Sequence, residues 1–144
     1  MLKNISKYLT GDLLKILCDM GHGDELVIAD ANFPAETMGQ RVIRCPGMDG
    51  SQFLEAILPL FPLDTYTEQP AVVMDLTDGD KAKGMPEPAV WDIYRKLLER
   101  AGERADFERM ERYAFYERAK KACVVVQTGE ERQYGNLLLV KGVV

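Results

Sequence analysis

The chain is poor in the side chains that build metal centres and disulfide frameworks. Among 144 residues there are one histidine, His22, and three cysteines, Cys18, Cys45 and Cys123. The cysteines are too few and too scattered for a disulfide scaffold. With a lone histidine and no HxH or HExxH spacing, they also leave zinc without a ligand set. Asp24, Glu25 and Asp30 offer oxygen donors for magnesium, but acidic residues around a strand usually cap or face water, so no metal is expected. Long apolar runs are missing as well. The longest, Ala56 to Leu63, is broken by Pro59 and Pro62 and falls far short of the ~18 residues of a membrane span. The opening Met1-Leu2-Lys3-Asn4-Ile5-Ser6 lacks the apolar stretch of a secretory signal, so a reduced cytoplasmic setting is expected. A basic excess is absent too: 18 Lys and Arg against 23 Asp and Glu give a net charge of -5, a poor footprint for a phosphate backbone. The one basic cluster, Arg112 with Arg118, Lys120 and Lys121, is interleaved with Glu111 and Glu117, as on a solvated helix face. Neither nucleic acid nor a membrane is an expected partner. No Walker loop, GxGxxG or GxSxG pattern occurs, so phosphate cradling and serine hydrolysis have no support.

What is present describes an ordinary globular chain, 47% apolar and 28% charged. Its length suits one domain, residues 1–144, with no internal repeat and no shift in composition. Leu13, Leu14, Ile16, Leu17 and Met20 fall at helical spacing after Thr10, a natural N-cap, with Gly21 as a stop. Ser51 or Asp49 caps a second helix carrying Phe53, Leu54, Ile57 and Leu58. A third opens near Pro88, carries Trp91, Tyr94, Leu97 and Leu98, and ends at Gly102. A fourth covers Tyr113 to Ala122, its aromatics expected in the core. Leu26 to Ala29, Arg41 to Arg44, Ala71 to Met74, Cys123 to Val126 and Leu137 to Val140 read as strands. The stretch Phe107 to Glu111 suits either type, and Asp78 to Pro86 reads as a loop. Strands alternating with helices at this spacing predict an α/β layered sheet, in which ligands sit beyond the carboxyl ends of strands. Asp30 falls at one such end.

Three places hold side chains suited to chemistry. His22 sits between Gly21 and Gly23, in a loop whose glycines permit unusual backbone conformations. Histidine exchanges protons near neutrality, and it also serves as a helix C-cap that covers terminal carbonyls. Asp30-Ala31-Asn32-Phe33-Pro34 puts a carboxylate and an amide at a strand end, where a proline turn is the simpler explanation. Tyr134-Gly135-Asn136 has the look of a hairpin turn before the last strand.

Taken together, Gly21-His22-Gly23-Asp24-Glu25, Asp30 to Ala35, Phe115-Tyr116-Glu117-Arg118-Ala119 and Tyr134-Gly135-Asn136 resemble one family in order and spacing. The chain is similar to the L-fucose mutarotases, relatives of D-ribose pyranase, from Met1-Leu2-Lys3 to Lys141-Gly142-Val143. The resemblance implies a layered α/β fold and an isomerase that interconverts the α and β anomers of a monosaccharide, L-fucose first, without a cofactor. It implies His22 as proton donor and Tyr116 as a pocket tyrosine in proton transfer. Asp30, Arg112, Tyr134, Gly135 and Asn136 would bind the sugar. It also implies a homo-oligomer, a decamer or smaller, with pockets bordered by neighbouring chains. Asn32 stands where some fucose mutarotases carry a second histidine, and the Asp78 to Pro88 loop differs from several relatives. Two alternatives stand beside this expectation: pyranose–furanose interconversion of D-ribose, and a sugar-binding oligomer without catalysis.

Overall fold

Runs such as Leu26-Val27-Ile28-Ala29 and Ala71-Val72-Val73-Met74 show no polar alternation, which suits strands covered on both faces. A computed structural model describes residues 1–144 and places them so. The elements follow in the order α1 (Gly11–Asp19), β1 (Glu25–Ala29), α2 (Ala35–Met38), β2 (Val42–Cys45), α3 (Gly50–Ile57) and β3 (Ala71–Met74). Then come α4 (Asp78–Ala82), α5 (Ala89–Arg100), β4 (Glu108–Met110), α6 (Arg112–Ala119), β5 (Val124–Thr128) and β6 (Leu137–Val140).

The strands form one six-stranded sheet in the order β2-β5-β1-β6-β3-β4. All run the same way except β6, which is antiparallel to both neighbours. The period of two along each strand divides the core. Leu26, Ile28, Val124, Val126, Leu137 and Leu139 face one layer, built from α1, α3 and α5 through Leu13, Leu17, Phe53, Ile57, Trp91, Tyr94 and Leu98. Val27, Ala29, Val125, Leu138 and Val140 face the other, under Phe33, Phe115 and Ala119. Each fully buried Leu, Ile, Val or Phe contributes about 1.5–3 kcal/mol through apolar burial. No helix is long and apolar enough to cross a membrane.

The local signals resolve as follows. Thr10 caps α1, its hydroxyl accepting from the Leu13 N–H at 3.3 Å. Asp49, rather than Ser51, caps α3 in a reciprocal box with Gln52, and the Ser51 hydroxyl donates to Asp49 at 2.6 Å. Helix α1 ends at Asp19 with an extended Met20 as its C-cap, one residue before Gly21. The carbonyls of Leu17 and Met20 accept from Lys141 Nζ at 2.7 and 2.5 Å, so a lysine, not His22, covers that helix end. Phe107 to Glu111 resolves as the short edge strand β4. The Asp78 to Pro86 loop begins with helix α4, capped by Thr77. Of the α6 aromatics only Phe115 enters the core; Tyr116 is half-buried and Tyr113 is exposed. The hairpin expected at Tyr134-Gly135-Asn136 is overturned. Strand β1, apolar from Leu26 to Ala29, lies between β5 and β6, so the chain from residue 129 to 136 crosses the end of β1 instead of turning tightly.

Candidate active site

Because β6 runs against β1, its entry lies beside the exit of β1, and Ile28 pairs with Leu137. Just past the last residue of β1 and just before the first of β6, Asp30 and Asn136 meet. The Asn136 Oδ1 accepts from the Asp30 backbone N–H at 2.8 Å, and its Nδ2 donates to Asp30 Oδ2 at 2.8 Å. The Asn32 backbone N–H donates to Asp30 Oδ1 at 3.0 Å. Both side chains are buried. Burial pushes the Asp30 carboxyl above its ordinary value, while the donors from Asn32 and Asn136 pull it the other way. The product is a carboxylate that holds a proton more readily than a solvated one, a property suited to a general base.

Asp30 and Asn136 form the floor of a cleft of about 350 Å³ whose walls include Asn32, Phe33, Thr77, Asp80, Arg112, Tyr116 and Tyr134. That volume falls within the roughly 300–1,000 Å³ of small-molecule sites. Arg112 and Tyr116, one helical turn apart on α6, act as a unit: Arg112 Nε donates to the Tyr116 hydroxyl at 3.0 Å. The guanidinium lies over the rings of Tyr113 and Tyr116, 5.6 and 5.4 Å from their centroids. An edge contact with Phe33, at 5.5 Å between centroids, fixes the Tyr116 ring from the other side. The bond to Tyr116 raises the Arg112 pKa further, so the cleft keeps a permanent cation.

Tyr134 adopts a left-handed backbone, φ 60°, which turns the chain toward the cleft. Its hydroxyl accepts from the Thr77 N–H at 3.1 Å and donates to the Asp80 carboxylate. That bond, with one from the Thr77 hydroxyl, holds the Asp80 carboxyl below the usual range. The loop is anchored from beneath by α5. Trp91 Nε1 donates to the Tyr134 carbonyl at 2.9 Å, and the Tyr94 hydroxyl to the Gly135 carbonyl at 2.8 Å. Gly135 cannot be larger, since a Cβ would sit 2.7 Å from Glu130 Cγ and 3.1 Å from the Arg132 carbonyl oxygen. Asp80 and Thr77 were not among the candidate residues. Their signal was the capping pattern Thr77-x-x-Asp80 just after an apolar strand.

His22 lies elsewhere. It precedes β1 whereas Asp30 follows it, and the five residues of that strand span roughly 16 Å. His22 Nε2 is 3.0 Å from Asp64 Oδ1, and its ring leans on Tyr66 with centroids 5.2 Å apart. The fold therefore gathers Asp30, Arg112, Tyr116, Tyr134 and Asn136 around one cleft, with Gly135 in its supporting turn, and leaves His22 half-exposed at the opposite end of β1.

Comparison with known proteins decides the class. A model of the RbsD / FucU transport protein family matches residues 3–144. This chain belongs to that family. Among its relatives, the fucose mutarotase of Danio rerio is 52% identical over 147 residues, covering 100% of this chain and 95% of that protein. The fucose mutarotase of Homo sapiens is 51% identical, covering 99% and 94%. A crystal structure of the fucose mutarotase from Streptococcus pneumoniae in complex with L-fucose superposes with a TM-score of 0.92 at 42% identity, covering 99% of each chain. Bacillus subtilis RbsD complexed with D-ribose shares the fold, with a TM-score of 0.72 at 24% identity. The mixed six-stranded sheet flanked by helices is thus the RbsD / FucU fold.

Proposed function

We propose that this chain is an L-fucose mutarotase, a carbohydrate isomerase in which residues 1–144 act as one domain, and that it works in the cytoplasm. The observation that carries this is the Asp30–Asn136 cleft, a buried carboxylate beside neutral hydrogen-bonding groups and one fixed cation, in a chain about 50% identical to proteins named fucose mutarotase. The complex of the pneumococcal relative with L-fucose supports the same substrate here. Ribose pyranase chemistry is not favoured, because the ribose-bound neighbour shares only 24% identity.

Opening a pyranose requires that a proton leave the anomeric hydroxyl while another reaches the ring oxygen. The aldehyde carbon then rotates and the ring recloses on its other face. Asp30 is suited to accept the first proton, and Asn136, Arg112 and Tyr116 to hold sugar hydroxyls. Tyr134, its hydroxyl engaged by Asp80 and Thr77, offers the sugar its ring face and the turn it heads. His22 is the proton donor, supplied by a neighbouring copy of the chain. A donor end and a cleft on opposite ends of one strand favour a heterologous, head-to-tail contact, which closes into a ring.

Polarimetry of freshly dissolved α-L-fucose tests this reading. Catalytic amounts of protein should shorten its relaxation to equilibrium, with little effect on D-ribose. Relaxation at the buffer rate would contradict it.

A further inference from the structure

The segment after α3 is tied to the end of the chain in a way that places one more carboxylate beside His22. Leu63 bridges to Lys141, the Asp64 N–H donates to the Val140 carbonyl at 3.0 Å, and the Gly142 N–H donates to the Pro62 carbonyl at 2.8 Å. Gly142 permits this approach, since a Cβ there would sit 2.3 Å from the Leu63 carbonyl oxygen. Lys141 in turn holds the histidine loop. Its carbonyl accepts from the Gly23 N–H at 2.8 Å and its N–H donates to the Asp24 carbonyl at 2.8 Å. Asp64 and His22 are thus locked to adjacent residues of one terminal strand.

The Asp64 side chain is 5% exposed, and each of its contacts is a donor. Oδ2 accepts from the Thr67 N–H at 3.0 Å and from the Thr67 hydroxyl, while Oδ1 accepts from the Tyr66 N–H at 3.2 Å. The Thr67 hydroxyl first, then the Tyr66 N–H, His22 and the Thr67 N–H, hold this carboxyl down at about 2 against desolvation. It is an ionised, acceptor-only group throughout the working pH range.

We propose that Asp64 is a positioning residue for the proton donor: it fixes the tautomer of His22 with hydrogen on Nε2, so that Nδ1 is the nitrogen that exchanges a proton with the sugar. Only a protonated Nε2 makes a hydrogen bond to a carboxylate at 3.0 Å. With Nε2 holding its proton against Asp64, Nδ1 is the nitrogen left free to give up or take a proton. This rests on the mutarotase reading of His22. In the opening step, Nδ1–H passes its proton to the ring oxygen as the bond from that oxygen to the anomeric carbon breaks. The bond's electron pair stays on the oxygen. The anomeric hydroxyl gives its proton to the Asp30 carboxylate, and its oxygen forms the carbonyl. Ring closure returns both protons, and no redox partner is needed. Tyr66, 79% exposed and against the His22 ring, limits the rotation of the imidazole.

His22 is the only histidine, so a long-range proton–nitrogen NMR correlation on uniformly labelled protein gives one ring system without assignment. In sugar-free wild-type protein at a pH where the ring is neutral, the expected result is a pyrrole-like Nε2 and a pyridine-like Nδ1, with no averaging between them. Asp64→Ala should average the two shifts toward the free-histidine mixture and lower L-fucose exchange by about 10- to 100-fold. Asp64→Asn, which keeps an acceptor oxygen and the turn at Tyr66, should retain the tautomer and recover part of the rate. A hydrogen on Nδ1 in the wild type, or unchanged shifts in folded Asp64→Ala, would overturn the proposal. The tautomer is read without sugar, so a wild-type protein with the expected tautomer but no anomer exchange would remove the mutarotase reading and leave the pairing with Asp64 standing.

Discussion

If His22 of one chain serves the cleft of the next, two inactive variants should rescue each other. His22→Ala removes the donor but leaves the cleft whole, and Asp30→Ala does the reverse. Each alone should lose at least the ~10²-fold expected of a positioned proton-transfer group. The basis is geometric: β1 separates the two residues by roughly 16 Å of extended strand, and Asp64 and Tyr66 hold His22 at the far end. In an assembly of both variants mixed at random, a site receives an intact histidine half of the time and an intact cleft half of the time. About one quarter of sites are then wild-type, in a head-to-tail ring where each chain donates to its neighbour. Co-expression with two affinity tags, purification over both, and NMR measurement of L-fucose anomer exchange give the comparison. The mixed assembly should run at about a quarter of the wild-type rate, some 25-fold above either variant. A mixed assembly no faster than its parents would place the donor and the cleft in the same chain and refute the reasoning.

Other consequences are simpler to measure. Asp64 is held at about 2 against an ordinary 3.8, so it stabilises the fold above the unfolded value and loses that contribution as pH falls from about 4 toward 2. Urea midpoints of wild type should drop across that window more steeply than those of Asp64→Asn, and parallel curves would contradict the pairing. Gly142→Ala puts a methyl against the Leu63 carbonyl and should destabilise by about 1–3 kcal/mol in urea titration, with weakened anomer exchange because Asp64 shifts. Tyr134→Phe frees Asp80 and the Thr77 N–H and should raise the KM for L-fucose several-fold with a smaller effect on kcat, read from exchange rates at varied sugar concentration.

Much of this architecture was legible because the signals were local. Leu26 to Ala29, Ala71 to Met74 and Leu137 to Val140 are unbroken apolar runs, and unbroken runs mark strands buried on both faces. Thr10 and the Asp49–Ser51 alternatives marked helix starts, since caps act within a single turn. Asp30 was legible as a strand-end carboxylate. Strand order was not. Nothing in Leu137 to Val140 says that β6 pairs with β1 and β3 instead of β5, and the expected hairpin at Tyr134 failed on that non-local choice. Asp64 was silent for the same reason. Its neighbours Leu63 and Thr65 carry no motif, and its role appears only when the chain end at Lys141 and Gly142 folds against it. Asp80 was hidden in a loop whose first residues form α4. The resemblance of the motif set named His22, yet no sequence pattern told that it stands apart from the cleft within its own chain.

The most direct test of the whole account is saturation-transfer proton NMR of L-fucose at equilibrium, with protein far below the sugar concentration. Saturating one pyranose anomer should attenuate the other rapidly in the presence of wild-type protein, and at close to the buffer rate with His22→Ala or Asp30→Ala. Attenuation no faster with wild-type protein than in buffer, at a concentration where binding of L-fucose is measurable, would contradict it and leave a sugar-binding protein in place of a mutarotase.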